Sequence, residues 1–600
     1  MNQIMKKYKI LILIGIAATA LSCQKDFLDR YPQTSITPDV FFNTEEDLAL
    51  YINGMLSMSN HGMYLTDQST DNLATTAAVE MKNIMTGSPS SQTITGGWDW
   101  GRLRTINYFL ENYRRADVTA DVANHYAGLA RYYRAIFYHN MVKRFSDVPW
   151  YSGTLNPGDE ELYKAQDPRA LVMDSVTADL DFALENVRES VPSGTPNKWA
   201  VAVMDAKIAL YEGTYRKYHP ELELQSTADA FLQRAVATAE HIMAEGGFSI
   251  HNTGNPTSDY AALFDSQDLT SNSEMILVNS YDQTENVSGN QNTGIFGNYE
   301  QSPSRDLVQT YLMADGSRLT EQTDYATFGF VKEFENRDPR LAQTLAYPGW
   351  QRAQDDAPYV QFLAKNFSGY HQLKGYINST DQVILNSSDV PVHRYAEVLL
   401  LLAEAKAELG TLAQGDLDNT VNLLRDRVAL PHLNLSWANA NPDPVQAANF
   451  PNVDGSNSGV ILEIRRERRV ELAFENTRYD DLMRWHAGKL LEEIPDGMYF
   501  PGVGDYDMTG DGIPDIRLIP EGQTIPSERE RNELGVPLVY YTIGTFGGGA
   551  TVFLENGVSG GTMVTDNRER TFLEPKYYYR PIPNTQVVLN PNLKQLFDWE

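Results

Sequence analysis

Cysteine is almost missing. Cys23 is the only one in 600 residues, which rules out an intramolecular disulfide framework and any metal centre built from several thiolates. Two enzyme signatures are also missing. Neither H-E-x-x-H nor a G-x-x-x-x-G-K-[ST] phosphate loop occurs, so zinc-peptidase and P-loop chemistry have no starting point. Basic charge is scarce: 49 Lys and Arg face 79 Asp and Glu, a formal net charge of −30. Such a surface repels polyphosphate backbones, and nucleic acid is excluded as a partner. No segment beyond the N-terminal leader is apolar enough to cross a bilayer, which takes ~20 helical residues, and no long low-complexity linker divides the chain.

What is present is ordinary globular material, 42% hydrophobic and 11% aromatic, enough for a large core. The N-terminus carries a more specific signal. Lys6, Lys7 and Lys9 precede an apolar stretch from Ile10 to Ala20, and small residues lead to Cys23, the pattern of a secretory leader. Ala20-Leu21-Ser22-Cys23 is similar to a bacterial lipobox, with Leu two places before Cys instead of three. Cys23 is therefore the expected lipidation site, and residues 1–22 the signal peptide. Lipid chains hold a soluble body at a membrane because each buried methylene contributes ~0.8 kcal/mol. The plainer reading is an ordinary leader cleaved near Ser22.

Helical periodicity covers Glu45 to Ser57, Leu103 to Arg115, Asp121 to Phe145, Pro168 to Arg188, Lys198 to Tyr218 and Ser226 to Ala244, and returns between Val392 and Leu490. Tyr126, Tyr132, Tyr133, Phe137 and Tyr138 recur at helical spacing, which predicts core packing. Between about Phe248 and Val390, and again from Pro501 to Gly561, Gly, Asn, Ser and Asp separate short apolar pieces. These predict loops and short strands, where binding usually resides.

Several ordered segments carry a resemblance. Cys23-Gln-Lys-Asp-Phe-Leu-Asp29 is followed by Pro303-Ser-Arg-Asp-Leu-Val308 and Arg337-Asp-Pro-Arg-Leu341. Arg394-Tyr-Ala-Glu-Val-Leu-Leu-Leu-Leu-Ala-Glu-Ala405 comes next, then Glu467 to Glu475, Arg478-Tyr-Asp-Asp-Leu482, and Tyr577-Tyr-Tyr-Arg-Pro-Ile-Pro583. Together they resemble the RagB/SusD family of outer-membrane nutrient-uptake lipoproteins. The resemblance implies a mainly α fold: a helical body with four tetratricopeptide-like helix pairs and a loop-rich, short-strand part that holds ligand. It divides the chain into an N-terminal region, 23–290, and a C-terminal region, 291–600. It also implies a non-catalytic, surface-exposed protein, lipid-anchored in the outer membrane, that serves a SusC-like TonB-dependent transporter. Its ligand is a glycan, or an oligopeptide in the RagB branch. Glu397 and Glu404 lie on the most apolar helix, so both are expected to be buried with arginine partners such as Arg394, Arg468 or Arg478.

Sugars present flat apolar faces edged by hydroxyls, so aromatic platforms beside Arg, Asn or Asp are the pattern to seek. Gly96-Gly-Trp-Asp-Trp-Gly101 precedes a helix that places Arg104 and Asn107 on one face. The founding starch-binding member of the family has ligand-contacting Arg and Asn at this spacing, which makes Trp98, Arg104 and Asn107 the leading candidates, with Trp100 assigned to packing. Tyr281, Phe296, Tyr299 and Trp350 are loop aromatics expected to touch ligand, and Asp71 is a further candidate. Asp507, Thr509, Asp511 and Asp515 place oxygens at positions 1, 3, 5 and 9 of a tight loop that turns at Gly512, a candidate structural calcium site. No other cofactor is expected. Gly557-Val-Ser-Gly-Gly561 matches a nucleophile elbow in letters, but no histidine follows it, so it is expected to be a glycine hairpin. A surface hydrolase using loop carboxylates, and a scaffold binding only proteins, are the readings from other classes.

Overall fold

Helix starts follow capping chemistry. Thr44 Oγ1 accepts from Asp47 N while Asp47 Oδ2 accepts from Thr44 N, which satisfies amides that a helix leaves open. Asn197 Oδ1 does the same for Ala200 N at 2.9 Å. The computed structural model describes residues 41–297, 301–379 and 386–599. The leader, Cys23 and Tyr299 lie outside the described residues.

The N-terminal helices are α1 (Glu45–Gly54), α2 (Gly101–Asn112), α3 (Ala120–Phe145), α4 (Arg169–Asn186), α5 (Lys198–Tyr218) and α6 (Ala228–Glu245), close to the periodic segments of the sequence. Successive helices pack side by side, most extensively α3 on α4 and α5 on α6. A glycine sets the second approach. A Cβ on Gly213 would lie 2.9 Å from the Leu232 side chain, so only hydrogen lets α5 and α6 meet there. Tyr132, Tyr133, Phe137 and Tyr138 are buried, as their spacing predicted, and Tyr126 is half-buried.

The C-terminal region adds α7 (Tyr395–Glu408), α8 (Val421–Arg427), α9 (Ser458–Glu471), α10 (Arg478–Arg484) and α11 (Asn584–Leu589). Helix α7 rests on α6 and α9. The two regions share their cores: Ile582 and Leu593 join the cluster built by α1 to α5, while Trp199 and Ala202 of α5 join one dominated by α7 to α9. The chain boundary near residue 290 therefore separates no independent core.

Apolar surroundings force the buried charges into pairs. Glu404 accepts from Arg484 Nη2 and from Trp485 Nε1, both at 2.7 Å, and Glu397 pairs with Lys207 at 2.9 Å and stands 3.9 Å from Arg468. The expected ion-pair network is thus present, with Lys207 and Arg484 as the nearest partners. Arg394 turns instead to Glu274 and Glu471, at 3.0 and 2.7 Å. Unpaired, each such charge would cost several kcal/mol in the interior.

The strands are short: β1 (Leu73–Thr75), β2 (Met275–Asn279), β3 (Gln301–Pro303), β4 (Val390–Arg394), β5 (Tyr499–Phe500), β6 (Gly504–Tyr506), β7 (Ile516–Pro520), β8 (Val539–Gly544), β9 (Val552–Phe553) and β10 (Gly561–Thr562). Three antiparallel pairs, β1 with β3, β2 with β4 and β5 with β10, tie distant segments together, and β6-β7-β8-β9 form one mixed sheet. Gly557–Ser559 is a single turn leading into β10, so the serine lies on a glycine turn and not on a strand-to-helix elbow. Among the described residues no helix is long and apolar enough to cross a membrane.

Candidate functional site

The Gly96–Gly101 segment is held from behind. Gly97 adopts φ +90°, and a Cβ there would meet the Arg144 guanidinium. Arg144 reaches Gly96 O at 3.3 Å and also binds Glu80, which in turn accepts from Arg580 at 2.7 Å. Burial pushes the Glu80 carboxyl up, but the two guanidinium groups overcome this and bring it to about 2. It is therefore a fixed anion at neutral pH that locks both arginines behind the loop.

In front of this support, Trp98 stands edge-on to Trp100, with centroids 5.4 Å apart, and to Phe145 at 4.9 Å. Trp100 meets Tyr151 edge-on at 5.3 Å. Trp98, Trp100 and Tyr151 form one wall of a groove of about 480 Å³, within the ~300–1,000 Å³ range of small-molecule sites. Leu162, Tyr163, Gln586, Leu589, Asn590 and Leu593 form the other wall. That second wall is pinned by side-chain amides: Asn592 Nδ2 donates to Tyr163 O at 2.7 Å, Asn590 Nδ2 to Lys164 O at 2.9 Å, and Gln166 Nε2 to Lys594 O at 2.6 Å.

Arg104 is exposed at the rim and donates to Leu155 O. Asn107 is wholly buried. Its Nδ2 donates to Tyr151 O at 2.9 Å and Gly153 O at 3.0 Å, and its Oδ1 accepts from Arg134 Nη1 at 3.2 Å. Arg134 is itself clamped to Asp179 by two bonds of 2.7 Å. Asn107 therefore shapes the loop that carries Tyr151: both of its N–H groups are spent within the protein, and only one lone pair of Oδ1 is left towards the groove that it helps to line. Desolvation raises the Tyr151 phenol to about 12, so it stays a neutral donor.

The other candidates lie elsewhere. Phe296 and Trp350 are buried in an aromatic cluster, with Phe296 stacked on His371 at 4.0 Å and 5.5 Å from Trp350; they are core and not open platforms. They share a buried cluster with Met275 and Val278 of β2 and Val390 of β4, a tertiary effect that glycine-rich flanks did not reveal. Tyr281 is half-buried against His61 at 4.2 Å. Asp71 is taken up by Arg478, at 2.7 and 2.8 Å, and by Arg469 at 3.2 Å. Burial opposes its charge, yet these guanidinium groups hold the carboxyl well below the usual carboxylate range. It is a structural anion and is not free for ligand.

In the acidic loop, Asp507 accepts from the amides of Thr509, Gly510 and Gly512, Asp515 from Met508 and Thr509, and Asp511 from Ile513. The carboxylates serve the turn joining β6 to β7. Sequence reasoning missed Tyr151, Tyr163, Gln586, Leu589 and Asn590. The run from Pro149 to Tyr163, aromatic and interrupted by Gly and Pro between two periodic helices, carried a signal; α11 carried none, because nothing local says what it faces.

Comparison with known proteins agrees with this architecture. Residues 273–599 match the model of the SusD family. A SusD-like protein of Formosa agariphila, P2, is 24% identical, covering 81% of this chain and 92% of that protein. A second, P25, is 23% identical over 82% and 92%. The crystal structure of a SusD-like carbohydrate-binding protein from Bacteroides fragilis superposes with a TM-score of 0.67 at 21% identity, covering 92% of this chain and all of that one. A SusD-like protein of the same organism gives 0.65 at 20% identity over 95% of this chain. With more than half of its length matched in a single stretch, and the helical body to go with it, the chain belongs to the SusD family.

Proposed function

We propose that this protein is a non-catalytic cell-surface lipoprotein that captures an oligosaccharide or polysaccharide in the aromatic groove and delivers it to a SusC-like, TonB-dependent outer-membrane transporter. The observation that carries the reading is the groove's chemistry. Trp98, Trp100, Tyr151 and Tyr163 supply flat faces, while Arg104 and Gln586 supply cationic and neutral hydrogen-bonding groups at the edges. The described residues lining the groove include no carboxylate and no imidazole. Glycoside hydrolysis ordinarily requires a pair of carboxyl groups across the scissile bond, so this lining favours capture over turnover. A peptide's amino terminus would also find no counter-charge, which favours a glycan over an oligopeptide. The leader that precedes Cys23 supports a lipid-anchored location, and the carbohydrate-binding neighbour from Bacteroides fragilis supports the ligand class.

The test is retardation of the full chain in native gels containing a panel of polysaccharides, with peptide mixtures titrated in parallel by calorimetry. Retardation by one glycan, with no shortened product released, is the expected result. Heat from peptides without any retardation would reassign the ligand, and released oligosaccharides would make the protein a hydrolase. Delivery is checked separately, by crosslinking in cells to a transporter barrel.

A further inference from the structure

A second site lies outside the groove, where the C-terminus of α5 meets the turn after α10. His219 is fully buried, stacked on Tyr215 at 3.7 Å with a 2° interplanar angle. Its Nε2 lies 2.8 Å from Met483 O and its Nδ1 lies 2.7 Å from Glu221 Oε1. Both neighbours are acceptors, and a neutral imidazole carries one N–H. Whichever nitrogen holds it, the other presents a lone pair to an oxygen at hydrogen-bond distance. A proton or a cation must therefore sit between His219 and one of these oxygens. The carbonyl is the natural partner for Nε2–H, since metal-binding imidazoles almost always donate their second N–H to a carbonyl or carboxylate. That leaves the Nδ1 lone pair and the Glu221 carboxylate converging on one point.

A third donor is already there. Ring centroids of His219 and His486 are 4.7 Å apart, and one ligand atom each from His219, Glu221 and His486 lie within 4.8 Å of one another. This is the one such group among the described residues. His486 follows α10 with a left-handed φ of 53°, a conformation uncommon outside glycine and asparagine, and its Nδ1 is 3.4 Å from Glu574. Tyr579 Oη donates to Glu221 Oε1 at 2.9 Å. The His486 and Glu221 side chains are 22% and 15% exposed, which gives an ion a way in from solvent.

We infer that His219, Glu221 and His486 bind a single first-row divalent cation of the zinc type. Two imidazoles and one carboxylate are ligands that suit zinc, at ~2.0–2.2 Å, with a fourth position left for water. Met483 O and Glu574 orient the imidazoles. The ion would staple the end of α5 to the segments that carry Met483 and Glu574, and through Tyr579 to the C-terminal stretch. Two ligands two residues apart and a third far along the sequence make it a site that no local motif announces.

The test uses the full chain after treatment with a chelator. Zinc is titrated by calorimetry and cobalt by visible absorption, where four-coordinate Co2+ gives intense bands. One equivalent of either ion is expected, together with a rise in melting temperature on adding zinc. His486→Asn preserves the left-handed backbone and should abolish the stoichiometric event. Glu574→Gln should weaken it ~10–100-fold, the usual effect of losing an orienting partner. Glycan retardation should be unchanged in both variants, because none of these residues lines the groove. Absence of a saturable equivalent in the unaltered chain would overturn the site. So would a His486→Asn variant that binds as well, or an imidazole nitrogen NMR spectrum showing His219 doubly protonated with zinc present.

Discussion

Asn107 separates two ways in which a residue can matter to this groove. Replacing it with Ala removes three hydrogen bonds, to Tyr151 O, Gly153 O and from Arg134. The cost is smaller than three full penalties, because two partners have fallbacks. Tyr138 Oη already lies 3.4 Å from Tyr151 O, and Arg134 Nη1 lies 3.4 Å from Ser152 O. Gly153 O alone is left bare. One orphaned carbonyl costs ~1–3 kcal/mol, and loss of the remaining weak bonds brings the total to ~2–3 kcal/mol. The loop bearing Tyr151 then loosens, and glycan affinity should fall by up to ~10-fold, equivalent to ~1.4 kcal/mol. Denaturant unfolding measures the first quantity and affinity electrophoresis the second. If Asn107→Ala unfolds like the unaltered chain yet no longer binds glycan, Asn107 touches ligand directly, and the positioning argument is refuted.

Three further outcomes are expected. Trp98→Ala should weaken glycan binding ~10–100-fold, as loss of a central aromatic contact of ~2 kcal/mol or more does. It should also lower stability by ~1–2 kcal/mol, about half of a fully buried truncation, because the ring packs on Trp100 and Phe145. Equal glycan retardation of both proteins would remove Trp98 from the site. Trp485→Ala should cost ~3–5 kcal/mol in denaturant unfolding, since the ring is fully buried and its Nε1 bonds Glu404. The Glu404 carboxyl, which burial raises but Arg484 and Arg468 bring to about 2, contributes stability that is complete above the unfolded value near 4.5 and is lost as pH falls towards 2. Glu404→Gln should therefore lose stability at pH 7 and unfold with a shallower acid limb. An acid limb identical to that of the unaltered chain would show that Glu404 does not titrate in this way.

Local patterning explains what the sequence revealed. α3, α5 and α6 are long and periodic, and their boundaries fell within a few residues of those read from spacing. The burial of Glu397 and Glu404 followed from the apolar run around them. What escaped detection depends on juxtaposition. Phe296 and Trp350 look exposed beside glycines and asparagines, yet each becomes core once the other arrives. Asp71 looks like a loop carboxylate until Arg469 and Arg478, far along the chain, claim it. Trp98 was identifiable because Gly96 and Gly97 leave so little else to hide it. Leu589 and Asn590 were not, since α11 acquires meaning only against Tyr163.

The groove's second wall carries a consequence for biogenesis. Trp98 and Tyr151 emerge from the ribosome long before Gln586, Asn590 and Leu593. The wall that they build with Tyr163 depends on Asn592, Asn590 and Gln166 finding their partners across the length of the polypeptide. A molecule cleaved before Ile582 would lose this wall and, with Ile582 and Leu593, part of the core beneath it. Ligand binding would therefore report that the two walls of the groove, made far apart in the chain, have closed on one another.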